Sequence, residues 1–225
     1  MKKSFKPASW IYPQPALVIV SQDKAGETDA MVAAWGGIYD TNKIGFMLDH
    51  NHKTTDNILE TGAFTVSMAT LKTMAEADYF GTVSGHKVKG KIEKAGFHAV
   101  KSEHVDAPVI EEFPLTFECK VVKTTQEGED WYIVGEIVNI LADESVLTGG
   151  KLDPSLIEPL TFDPVHGTYI RLGDVAGRAW REGCLLYTAE IGIANAPLPD
   201  PSFFKILRKE ECQIMICLLY TSRCV

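Results

Sequence analysis

Cysteine is scarce through most of this 225-residue chain. Only Cys119 precedes position 184, so the first 183 residues cannot hold an internal disulfide. Cys184, Cys212, Cys217 and Cys224 crowd the end, yet no histidine follows His166 and their spacing fits a four-cysteine zinc site poorly. A reducing compartment suits this pattern. Long apolar runs are missing too. Nothing approaches the roughly 20 residues of a spanning helix, and the run at 16–20 is too short for a signal-peptide core and follows Pro13 and Pro15. A cytoplasmic protein is expected. Positive charge is also in deficit, with 22 Lys and Arg against 30 Asp and Glu and a formal net charge of -8. Such a surface argues against broad nucleic-acid binding, which needs wide cationic coverage. Any bound anion should be small.

Several chemical signatures are absent as well. There is no Gly-x-Gly-x-x-Gly, and the stretch Gly81-Thr82-Val83-Ser84-Gly85 lacks the spacing of a nucleophile elbow. Leu147-Thr148-Gly149-Gly150-Lys151-Leu152 lacks the first glycine and the final Ser or Thr of a phosphate loop. A dinucleotide fold, a covalent hydrolase and a nucleoside triphosphatase are therefore disfavoured. His50 and His52 alternate beside Asp49, but spacing fixes no third ligand, so no metal is expected.

What remains is an ordinary globular composition, 45% apolar and 23% charged, long enough for one substantial core. Runs rich in β-branched and aromatic residues predict strands at 16–21, 30–36, 43–48, 64–69, 115–123 and 131–141. Helices are predicted at 55–60 with Thr55 as cap and Gly62 beyond its end, at 71–79, and at about 88–95, with a short one near 154–157. Six strands with short connections and few helices predict a β-dominated antiparallel barrel.

Two segments are candidate anion sites. In VSGHKVKGK, residues 83–91, three lysines alternate beside Ser84 and Gly85. If this segment is extended, Lys87, Lys89 and Lys91 share one face and can converge on a phosphate, with Ser84 and the Gly85 amide donating. The alternative is a solvated lysine edge that blocks sheet-to-sheet association. HKTTDN, residues 52–57, places Lys53, Thr54 and Thr55 at a helix amino terminus, where free amides and hydroxyls suit an anion. Plain helix capping by Thr55 explains the same residues. Trp10, Trp35, Trp131 and Trp180 read as core or interface anchors.

Five ordered blocks carry a resemblance: TDAMVAAWGG (28–37), KTTDNILETGAFTVSMA (53–69), ADYFGTVSGHKVKGKIEKAGF (77–97), DAPVIEEFPLTFEC (106–119) and VGEIVNILADESVL (134–147). Together they resemble the flavin reductase-like family of FMN-binding split barrels, in its flavoredoxin branch, over about residues 10–183. The resemblance implies a six-stranded antiparallel Greek-key split barrel, a homodimer, and one non-covalent FMN per subunit near the dimer interface. It implies that the strand Asp29 to Trp35 runs beside the flavin ring, with backbone contacts from Ala30, Met31, Ala33 and Ala34 and with Trp35 close by. Thr54, Thr55 and Asn57 would serve the phosphate and ribityl chain. Ser84, Gly85, Lys87, Lys89 and Lys91 would complete the phosphate side, and no side chain need act as acid or nucleophile. The chain departs from the family pattern at Asp29, where asparagine is common, at Gly90-Lys91-Ile92 for Asp-Lys-Phe, and at Gly167, with His166 one position before the usual histidine.

The resemblance implies an oxidoreductase passing electrons from NAD(P)H through FMN to a second acceptor. The alternatives are a flavoredoxin-type carrier reduced by a partner protein and a flavin-binding module without a redox partner. The family-like domain is expected to span 1–183. CLLYT occurs at 184–188 and again at 217–221. Residues 184–225 therefore read as a segment foreign to the domain, either a sequence artefact or a helix near 203–217 that docks on the barrel or a partner.

Overall fold

The computed structural model describes residues 1–179, so the tail expected to begin at 184 lies outside the described residues. Met1–Leu172 forms one compact unit. A second unit begins at Gly173, and its described residues, 173–179, belong to no helix or strand.

In chain order the elements are β1 (Leu17–Gln22), β2 (Thr28–Ala33), β3 (Gly36–Asp40), β4 (Lys43–Leu48), α1 (Lys53–Thr61), β5 (Ala63–Met68), α2 (Met74–Thr82), α3 (Lys91–Lys94), β6 (Ala99–Lys101), β7 (Pro108–Ile110), β8 (Leu115–Glu127) and β9 (Asp130–Ala142). Two short strands, β10 (Leu147–Thr148) and β11 (Lys151–Leu152), precede α4 (Pro154–Ile157) and the hairpin of β12 (Leu160–Asp163) and β13 (Thr168–Arg171). The six expected strands are all present in one antiparallel sheet, ordered β2-β1-β5-β8-β9-β4-β3, with β3 added at its edge.

That order forces the sheet to curl. The edge strands β2 and β3 are consecutive in sequence and are joined only by Ala34 and Trp35. Three Cα steps cover at most about 11 Å, so the two edges must approach each other across an otherwise open side. The Met47 amide donates to the Trp35 carbonyl at 2.9 Å and fixes the bridge to β4. The result is a curled half-barrel.

Both faces of β1 are covered, which explains its unbroken apolar run. Leu17 and Ile19 point into the curled interior with Phe46, Phe64, Val66 and Ile133. Ala16, Val18 and Val20 point outward into a second cluster with Phe80, Ile92, Phe97 and Phe113. α2 and α3 pack on this second face through Ala77, Phe80 and Ile92, whereas α1 lies against β1 and β2 and places Ile58 in the interior cluster. α1 ends where Gly62 takes a left-handed φ of 70° and donates to the Ile58 carbonyl at 2.9 Å. Its amino-terminal cap is His52, whereas Thr55 lies inside the first turn and donates its hydroxyl to the Asp49 carbonyl at 2.8 Å.

Cys119 is a free, buried thiol, pushed up to about 12 mainly by burial. It packs in the interior as a small hydrophobe. At the other end of the domain, Asp163 accepts hydrogen bonds from the Tyr12 hydroxyl, the Val165 amide and the His166 ring, which hold its carboxyl well below the usual range. This clasp ties the amino-terminal segment to the β12–β13 hairpin.

Gly135 on β9 leaves room for the Phe64 ring. A Cβ there would lie 2.2 Å from Phe64 Cζ and 3.1 Å from Cys119 Cβ. Phe64 is fully buried and packs edge-on against Phe46 at 5.1 Å, so it cannot swing aside. Gly135→Ala should therefore destabilise the domain by about 1–3 kcal/mol through overpacking. Chemical denaturation followed by circular dichroism checks this, and unchanged stability would refute the close approach.

Candidate functional site

The gap between the curled edges opens onto a groove with two connected parts. The apolar part is a cavity of about 410 Å³, lined by Met31 to Trp35 of the bridge, by Met47, Leu48, Asp49 and His52, and by Asp78, Gly81, Thr82, Phe162 and Tyr169. Trp35, Phe162 and Tyr169 form an aromatic wall, with ring centroids 6.3 Å apart for the first pair and 6.1 Å for the second. The Tyr169 hydroxyl donates to Asp78 Oδ1 at 3.0 Å. Burial, with Asp78 adding to it, pushes the phenol up to about 12, so it is a neutral donor at ordinary pH.

The polar part, about 200 Å³, is lined by Asp29, Lys53, Thr54, Ser84, Gly85 and Lys91. Met31, Val32, His52, Gly81 and Thr82 line both parts, so the two are contiguous. HKTTDN and VSGHKVKGK, thirty residues apart, thus face one cavity across β2.

Asp29 is what brings them together. Its carboxylate is 3% exposed, accepts the Thr54 hydroxyl of α1 at 2.6 Å through Oδ2, and ion-pairs with Lys91 of α3, with Nζ 3.0 Å from Oδ1. Lys91 Nζ donates to the Val83 carbonyl at 2.9 Å and the Phe80 carbonyl at 3.3 Å, while Asp29 Oδ1 faces it as an ion-pair partner without a hydrogen bond. Gly85 must be glycine here, because a Cβ would meet Asp29 Oδ1 at 2.3 Å. Farther out, Lys53 donates to Asp23 at 2.8 Å, which pulls Asp23 down and Lys53 up from their ordinary values. Lys89 pairs with Glu27 at 2.9 Å, and His86 lies 3.3 Å from Asp56 of α1.

The three lysines do not converge. Residues 83–90 form turns and bends instead of an extended strand, so alternate positions do not share a face. Lys91 is buried on Asp29, Lys89 is exposed on Glu27, and Lys87 is exposed at a turn; neither Lys87 nor Lys89 lines either cavity. Of the positions expected to contact the ring, Met31 and Ala33 of β2 and Ala34 and Trp35 of the link line the apolar cavity, while the Ala30 side chain packs away from it into the outer core. Thr54 lines the polar cavity but Thr55 and Asn57 do not. The buried Asn57 side-chain amide has no partner among the described residues. His166, bound to Asp163 at 2.7 Å, is not among the lining residues.

Sequence reasoning missed Phe162 and Tyr169, although a hairpin signal, Asp-Pro followed by Gly167, separates them. It also missed Asp78, Gly81 and Thr82, which belong to a helix end whose approach to β2 is long-range. The fold does supply a third group near His50: Asp49 and Asp130 each lie 3.5 Å from its ring nitrogen on the exposed rim.

The profile of the family described as "Flavin reductase like domain" matches residues 9–164. An uncharacterized protein of Archaeoglobus fulgidus is 30% identical over 142 residues, 62% of this chain and 78% of that protein. Among solved structures, the flavoredoxin of Desulfovibrio vulgaris (Miyazaki F) superposes with a TM-score of 0.77 at 33% identity, over 81% of this chain and all of that one. The flavoredoxin from Methanosarcina acetivorans gives 0.74 at 30% identity, over 82% of this chain and all of that one.

Lys91→Met should cost about 3–5 kcal/mol, because it leaves the Asp29 carboxylate buried without its counter-charge. Adding Asp29→Asn in the same chain should recover a large part of that loss. Melting and denaturant curves of the four proteins of this cycle measure the coupling, and purely additive effects would show that the pair is not one unit.

Proposed function

The chain belongs to the flavin reductase-like family, and from that premise we propose that it binds FMN along the two-part groove. The single observation carrying this reading is the continuity of an aromatic-walled apolar cavity with a smaller polar one at a helix amino terminus. A flat apolar ring joined by a polar chain to an anionic end has those proportions. The residues present fit it: small side chains at Ala33 and Ala34 let the backbone approach a ring face, and Trp35 and Phe162 border the same space. At the other end, the Lys53 and Thr54 amides precede the first intrahelical bond of α1 and Ser84 offers a hydroxyl.

When bound, FMN supplies hydride acceptance and electron release. This chain's residues hold and orient it, and the apolar walls keep water from the ring. The Tyr169 hydroxyl, fixed on Asp78, holds its proton at the cavity edge. NAD(P)H would be the reductant and a second acceptor would take the electrons, with this chain's residues supplying the binding surface. Thr55 and Asn57 act on the site through the conformation of α1, and Lys87 and Lys89 lie outside its lining.

The second reading is a flavoredoxin-type carrier reduced by a partner protein. The similarity to two flavoredoxins at 33% and 30% identity favours it. Both readings include a homodimer in a reduced cytoplasmic setting. On the edge strand β3 and beside it, Ile38 is 94% exposed and Trp35 54% exposed, apolar surface that a second copy would cover.

Purified protein should be yellow or take up added FMN with quenching of flavin fluorescence, and Trp35→Ala should weaken that uptake about tenfold or more. Protein that stays colourless and indifferent to FMN would end the proposal. Anaerobic mixing with NADH and NADPH separates the readings: rapid bleaching of the flavin band marks the reductase, whereas bleaching only with a protein donor marks the carrier. Light scattering should give twice the 24.8 kDa chain mass, and a monomer would remove the dimer from the proposal.

A further inference from the structure

The two lysines that line the polar cavity, Lys53 and Lys91, are each paired with a carboxylate. Among its described lining residues Asp29 is the one acid, and it sits against Lys91. Lys53 is neutralised by Asp23, and Lys89, just outside, by Glu27. A cavity that gripped an anion through free ammonium groups would leave at least one of these unmatched. Lys91 is the best placed of them, lining the cavity at 1% exposure, yet its charge is matched by Asp29 and it donates to the Val83 and Phe80 carbonyls.

We propose that Asp29 is a positioning residue that withholds the Lys91 charge from the anionic end of the ligand. The cavity then grips that end with neutral donors, the first amides of α1 and the Ser84 hydroxyl. This inference rests on the reading that FMN occupies the groove. Hydrogen bonds to an ionised donor are roughly twice as strong as neutral ones, so Asp29 lowers affinity for the charged end. In exchange it keeps a buried ammonium group neutralised while no anion is bound, and an unpaired buried charge is strongly destabilising. The ligand's ring and chain, rather than its charge, then dominate binding.

The test uses the full chain and two ligands that differ only in the terminal phosphate, FMN and riboflavin. In the wild type, FMN affinity should change less than about twofold between about 0.05 M and about 0.5 M salt, since matched charges leave little field to screen. Asp29→Asn should lower the melting temperature of the ligand-free protein and yet tighten FMN about tenfold, with riboflavin unchanged and a new salt dependence. Asp29→Asn combined with Lys91→Met should lose the gain. A steep salt dependence in the wild type would overturn the inference even if Asp29→Asn does not fold. So would an Asp29→Asn protein that melts lower but keeps the wild-type ratio of FMN to riboflavin affinity, which is the signature of a merely structural carboxylate. Wild-type protein that binds neither ligand would instead refute the flavin reading itself.

Discussion

A single buried ion pair organises the groove. Asp29 and Lys91 come from β2 and α3, which are far apart in sequence, and the Thr54 hydroxyl adds α1 to the same carboxylate. Desolvating two charges is costly, and such a pair persists only when its remaining hydrogen-bonding capacity is met. Here the Val83 and Phe80 carbonyls meet it on the lysine side and the Thr54 hydroxyl meets it at Oδ2 of the aspartate, while Oδ1 faces only the ammonium charge. Gly85 completes the arrangement by omission, since any side chain there would strike the carboxylate. The polar cavity is what three elements leave between them once they have closed on Asp29.

The apolar cavity depends on a different constraint, the curl of the sheet. Strand order puts the consecutive strands β2 and β3 at opposite edges, and hydrogen bonding through the Trp35 carbonyl holds the short bridge in place. The interior cluster around Phe46, Phe64 and Ile133 fills the concave side, and α2 and α3 cover the convex side. Met31 and Val32 then face the groove at the junction of its two parts. The ion pair and the curl meet on the same six-residue strand.

How much of this the sequence discloses follows the range of the forces involved. Strand periodicity is local, and all six expected strands are present, as is the antiparallel half-barrel of the family. β3 escaped notice because Gly36-Gly37 reads as a turn and the strand's outer residues are exposed. HKTTDN and VSGHKVKGK both contribute residues to the lining of one cavity, but the roles of the lysines do not follow from spacing. Alternation implies a shared face only in extended backbone, and this segment turns. Nor does one-dimensional pattern disclose that Asp29, a lone acid in an apolar strand, would claim Lys91 sixty-two residues later. The aromatic wall at Phe162 and Tyr169 is hidden for the same reason, its partner Trp35 lying far earlier in the chain.

The two-residue link between β2 and β3 also constrains how this molecule can diversify. One extra residue at Ala34-Trp35 would let the sheet edges relax apart, and the floor of the cavity would lose its shape together with the barrel's curvature. Deletion would shorten the reach between the two edges and draw them closer. Variation in what the cavity admits is therefore channelled to the opposite rim, the β12–β13 hairpin and the end of α2, where side chains can change without altering the strand order. The floor is inherited with the fold, and only the roof is free to evolve.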